Sequence, residues 1–93
     1  MNDVVLPVLK DRLGISVDSR DYILCAIIDG IIDECISVHG IHLSEEKSSD
    51  ILLVLDWATW KYNHPEDGVT PRSIRFRIQN RIIKAVHNES NMG

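Results

Sequence analysis

Nine of the twelve residues from Ile51 to Tyr62 are apolar or aromatic, and on a helical wheel they fall on every side. A helix of that kind needs cover on most of its faces, from neighbouring helices or from other subunits. The Ser/Glu/Lys cluster from Ser44 to Asp50 supplies capping groups for its start, which the sequence places between Ser44 and Ser49. Asn63-His64-Pro65 stops it, because the residue before a proline is pushed out of the α region.

Three further segments carry helical periodicity. Leu6, Leu9 and Leu13 predict a short helix over about residues 5–13, with Pro7 in its first turn and Gly14 in the left-handed position past its end. Asp18 and Ser19 offer N-cap oxygens to a long helix over about 19–38. Along it Ile23, Leu24, Ile27, Ile28, Ile31, Ile32, Cys35 and Val38 fill one broad arc, while Tyr22, Asp29, Asp33 and Ser37 lie on the other side. The charges at Asp29, Asp33 and Glu34 break the period-2 pattern that so many isoleucines would otherwise suit. Thr70-Pro71 reads as an N-cap and first residue of a fourth helix over about 71–87, striped by Ile74, Ile78, Ile82, Ala85 and Val86. Arg75-Phe76-Arg77-Ile78 alternates like a strand, so a short extended piece near 75–78 competes with helix there. The expected fold is all-α, a small four-helix bundle ordered short-long-long-medium. Residues 1–87 form one domain and 88–93 a flexible tail.

A chain of 93 residues holds one hydrophobic core, and 44% hydrophobic with 26% charged residues is the balance of an ordinary globular domain. No stretch reaches the roughly 18–20 apolar residues of a membrane span, and Met1-Asn2-Asp3 lacks the basic start of a signal peptide. The expectation is a soluble protein that stays where it is made and has no membrane partner. Cys25 and Cys35, ten residues apart on one helix, would stand about 15 Å apart along its axis and cannot pair, which suits a reducing compartment.

Motifs for catalysis are sparse. His39-x-x-His42 straddles Gly40 with no accompanying Cys-x-x-Cys, and His64 and His87 belong to no ligand spacing, so solvated loop histidines are expected and no metal. Asp29 and Asp33 share a helix face and could in principle act as a carboxylate pair, but a polar face of an amphipathic helix explains them as well. There is no glycine-rich phosphate loop and no Gly-x-Ser-x-Gly. The reading is a protein without catalytic residues or cofactor.

Charge is distributed unevenly. Residues 1–70 hold five Lys/Arg against thirteen Asp/Glu, and residues 71–93 hold five against one. Such a split serves internal helix pairing, contact with nucleic acid, or docking of the acidic part of one copy on the basic part of the next. Arg72, Arg75, Arg77, Arg81 and Lys84 make the fourth helix basic, while Trp57, Trp60 and Tyr62 concentrate the aromatic residues on the third. Arginine and aromatic side chains are the stuff of interface centres, although core packing is the default for the tryptophans. Two functions follow from different classes. One is a structural assembly protein that uses Arg72, Arg75, Arg77, Arg81, Lys84, Trp57 and Trp60 for contacts and Asp29 and Asp33 toward a neighbour or channel. The other is a small nucleic-acid-binding regulator relying on the basic helix, with affinity that falls steeply with salt. The connection from 63 to 71, with two prolines, is too long for a helix-turn-helix.

The order of these features resembles a known family. Leu9-Lys10-Asp11-Arg12-Leu13-Gly14-Ile15 leads, and an acidic cap and an Ile/Ala-rich helix reaching Asp33-Glu34 follow. Then come Asp56-Trp57-Ala58-Thr59-Trp60-Lys61-Tyr62, the Pro65-Glu66-Asp67-Gly68 turn, and Pro71-Arg72-Ser73-Ile74-Arg75-Phe76-Arg77-Ile78-Gln79-Asn80. Over most of residues 8–84 this is similar to the head-tail connector, or adaptor, proteins of long-tailed bacteriophages, particularly phages of Gram-positive hosts. The resemblance implies a non-enzymatic, all-helical virion protein of the phage neck, assembled in the host cytoplasm. Copies would form a ring, dodecameric in the family, that docks on the portal protein after DNA packaging and meets the neck or tail-completion proteins. The ring would line the channel at the head-tail junction, close to genomic DNA without reading its sequence. The segment from Pro71 to Lys84 would face the portal or the next subunit. Asp29 and Asp33 would face a neighbour or the channel, where negative charge repels phosphate and lets DNA slide. The chain departs from the family pattern in the six residues that follow His87, too few for an arm that embraces the portal.

Overall fold

In a computed structural model, which describes residues 1–66 and 68–92 (backbone only over 87–92), every regular element is helical. The order is α1 (Asn2–Leu13), α2 (Asp21–Ser37), α3 (Ser48–Asn63) and α4 (Arg72–Met92). The all-α four-helix bundle expected from periodicity is the fold observed. Helices α1, α2 and α3 each pack against the other two, whereas among the described residues α3 is the one helix that α4 packs on. The molecule is accordingly long, 47 × 27 × 19 Å.

The helix ends show which local signals won. Gly14 sits at φ 71°, donates its N–H to Asp11 O (3.2 Å) and lets Ile15 N–H reach Lys10 O (2.9 Å), which is a Schellman closure of α1. Gly40, at φ 67°, turns the chain after α2 so that Ile41 is buried with its N–H on Cys35 O at 2.8 Å. α1 starts at Asn2 rather than near residue 5, since Met1 O already accepts from the N–H groups of Val4 and Val5. The expected capping of α2 by Asp18 or Ser19 side chains does not occur. Arg20 holds the cap position without a side-chain bond, and the Asp18 carboxylate instead pairs with Lys10 Nζ at 2.9 Å. α3 begins at Ser48, with Lys47 at its cap and no side-chain bond.

α4 departs most from expectation. Arg75 N–H donates to Pro71 O at 3.0 Å and the helix runs unbroken from Arg72, so the extended alternative at 75–78 is wrong. Its end near 87 is corrected to Met92, and α4 is the longest helix rather than a medium one. Asn88, Glu89, Ser90 and Asn91 contain no glycine or proline to stop it, and the first such residue, Gly93, lies outside the described residues. The tail expected over 88–93 therefore has helical backbone through Met92.

The core joins Val5 and Leu9 of α1, Leu24, Ile28, Ile31 and Cys35 of α2, and Leu53, Val54, Leu55, Trp57 and Ala58 of α3. Ile74 and Ile78 bring the first half of α4 onto it. The arc expected on α2 is narrower than its isoleucines suggest, because Ile23 is 39% and Val38 69% exposed. Likewise α3 is not covered all round, with Leu52 48% exposed.

Candidate interaction surface of helix α4

The basic residues of α4 divide into two sets by the helical period. Arg77 and Arg81 lie on the α3 side, four residues apart and one turn below one another. Arg77 Nη1 donates to Asp56 Oδ2 at 2.6 Å, and the same carboxylate accepts from Arg12 of α1. Burial pushes the Asp56 carboxyl up, but the hydrogen bonds and charges of Arg12 and Arg77 outweigh that and hold it below the usual carboxylate range. One carboxylate thus ties α1, α3 and α4 together.

Arg81 is spent still deeper. Its Nε donates to Asp50 Oδ1 at 2.9 Å, and its Nη2 reaches both Asp50 Oδ2 (3.3 Å) and the backbone carbonyl of His42 (3.1 Å). Asp50 is 1% exposed, and its Oδ2 also accepts from Ser44 N–H at 2.9 Å. Its place in the first turn of α3 adds the positive end of that helix to the carboxylate's surroundings. By sequence, Ser44 to Asp50 read as capping residues, and neither Asp50 nor Asp56 stands out as an anchor. An acidic residue inside an otherwise apolar helix, as Asp56 is, was the available signal.

Lys84 lies on the same side as Arg77 and Arg81 but is exposed; on the opposite side Arg72 and Arg75 are exposed, and none of the three forms an ion pair among the described residues. Phe76 (66%), Ile83 (63%) and Val86 (56%) are exposed on the side of Arg72 and Arg75. Near its start this side of α4 forms one wall of an open groove of about 660 Å³, shared with Glu34 and Val38 at the end of α2. Apolar surface flanked by free arginines is what the centre of a protein contact contains.

The aromatic residues separate in the same way. Trp57 is completely buried and shows no surface to a partner, so its place among the contact residues is corrected to the core. Trp60 is half-buried, and its ring stacks on His64 at 5.1 Å between centroids. Asp29 and Asp33 both lie on the exposed side of α2, with Asp29 Oδ1 accepting from Asn2 Nδ2 at 2.8 Å. Among the described residues no three His, Cys, Asp or Glu side chains cluster as metal ligands, and His39 and His42 lie on the turn after α2. Cys25 and Cys35 are both free thiols, and burial pushes the Cys35 thiol up to about 11, where it is protonated and inert at neutral pH. No helix is long and apolar enough to cross a membrane among the described residues.

No protein-family model matches this chain, and neither does any curated protein or solved structure.

Proposed function

We propose that this chain is a structural subunit of a bacteriophage neck, one of a ring of copies that docks on the portal, joins the DNA-filled head to the tail and lines the exit channel. The observation that carries the reading is the mounting of α4. It is the longest helix, α3 is the one helix it packs against among the described residues, and its other side displays Phe76, Ile83 and Val86 together with Arg72 and Arg75. A helix left half-covered by its own domain is a docking element. The order of motifs from Leu9 to Lys84 that resembles head-tail connectors directs that element toward a portal and toward further copies.

A nucleic-acid-binding regulator draws less support, because Arg77 and Arg81 spend their guanidinium groups on Asp56 and Asp50. The test is native mass spectrometry of the protein alone, with the portal protein of the same phage, and with duplex DNA, at low and moderate salt. A complex in the portal's stoichiometry is the expected result. A protein that ignores the portal and gains mass with DNA would overturn the reading.

A further inference from the structure

Two exposed stripes of equal length match one another on different helices. On α4, Arg72, Phe76, Gln79, Ile83 and Val86 follow steps of four and three residues, the spacing of a helix-pairing seam. On α2, Tyr22, Ala26, Asp29, Asp33 and Ile36 follow the same steps, and Tyr22 (74%) and Ile36 (42%) are its large exposed apolar members. Each stripe spans fourteen steps, about 21 Å of helix, and all ten residues are exposed. Neither stripe faces the core of its own molecule.

We infer that the occupant of the outer face of α4 is the outer face of α2 from a second copy, lying antiparallel to it. This rests on the assembly reading above and adds to it the surfaces that meet. Charge selects the direction. Antiparallel, Arg72 faces Ile36, Phe76 faces Asp33, Gln79 faces Asp29, and Ile83 and Val86 cover Ala26 and Tyr22, while Arg75, beside the stripe, comes level with Asp33. Parallel, the two arginines would lie at the Tyr22 end, about a turn or more from Asp29 and Asp33, where the nearby acids Asp18 and Asp21 are already held by Lys10. Because the two stripes share no residue, the contact is head-to-tail. A joined pair keeps one α2 stripe free on one copy and one α4 stripe free on the other, so the contact propagates, and it closes into a ring where the rotation between copies divides the circle. Arg77 and Arg81, already paired within the monomer, take no part.

Charge reversal tests it by sedimentation velocity on the whole chain. The wild type should associate, and Arg72→Glu with Arg75→Glu, or Asp29→Lys with Asp33→Lys, should each weaken association by about tenfold or more with unchanged helicity. An equimolar mixture of the two variants should associate again, since the acidic α4 of one then faces the basic α2 of the other. Variants that assemble like the wild type, or a mixture that stays dissociated, would overturn the seam. So would a wild type still monomeric at ~1 mM. A monomer that nonetheless binds the portal would overturn the seam and leave the neck reading standing, whereas one that binds neither portal nor itself overturns both.

Discussion

Arg81→Met isolates the attachment of α4. The substitution keeps a long stem and removes the guanidinium that serves Asp50 twice and His42 O once. Asp50, 1% exposed, would be left with one donor, Ser44 N–H, for a charge that needs several. Removing one partner of a buried pair costs about 3–5 kcal/mol. The position of Asp50 in the first turn of α3, where the helix dipole stabilises a carboxylate by ~0.3–1 kcal/mol, puts the expectation at the lower end, about 3 kcal/mol. A chain of 93 residues has roughly 5–14 kcal/mol of stability in total, so the loss is a large share of it. In thermal melting that is a fall in Tm of about 12–24 °C.

Urea unfolding followed by far-ultraviolet circular dichroism gives the number. Asp50→Asn and the double variant complete a cycle, and the double variant should be less damaged than the two single losses added together. Since α3 is the helix that α4 packs against among the described residues, a second signature is available: hydrogen exchange along α4 should speed up before exchange in α1, α2 and α3 does. A cost below about 1 kcal/mol for Arg81→Met would place the pair among ordinary surface bridges and refute the view that it fastens α4 to the bundle.

Trp57→Ala removes a completely buried ring at the centre of α3 and should cost about 3–5 kcal/mol, read as loss of cooperative unfolding; a variant with native stability would take Trp57 out of the core. The clamp at Asp56 is acid-sensitive. Its carboxyl titrates lower in the folded than in the unfolded chain, so its contribution is complete above the unfolded value of about 4 and is lost as pH falls through the folded one. Arg12→Ala with Arg77→Ala should flatten the fall in stability below about pH 4 that the wild type shows in circular dichroism, and an unaltered acid profile would contradict that assignment.

The helices were legible because their signals are local. Leucine spacing, Gly14 and Gly40 at left-handed turns, and His64-Pro65 bracket α1, α2 and α3 to within a few residues of their observed ends. What could not be read is set by partners distant in the chain. Arg81 reaches Asp50 across 31 positions and Arg77 reaches Asp56 across 21, so the sequence displays five basic residues on α4 without saying which are consumed. Ile23 and Ile36 look like core residues by composition, yet neither is turned inward far enough to be covered. Trp57 and Trp60 are indistinguishable as letters, and only the packing of α1 and α2 against α3 separates the one that is sealed from the one that reaches the surface.

The division of α4's charge also bears on the choice between functions. Counterion release lowers log K by about 0.9 per log unit of salt for each phosphate neutralised. Five available cations would give a DNA ligand a slope near −4.5, but with Arg77 and Arg81 committed to carboxylates the three left, Arg72, Arg75 and Lys84, give at most about −2.7. To use the committed pair on DNA, the protein would have to strip Asp50 of its counterion and loosen α4 from α3, at a cost close to that of Arg81→Met. A short seam to a carboxylate-bearing helix asks for none of this. It uses Arg72 and Arg75, which the fold leaves free, and the apolar residues that follow along the same stripe, Phe76 and Ile83, add a contact that phosphate cannot offer.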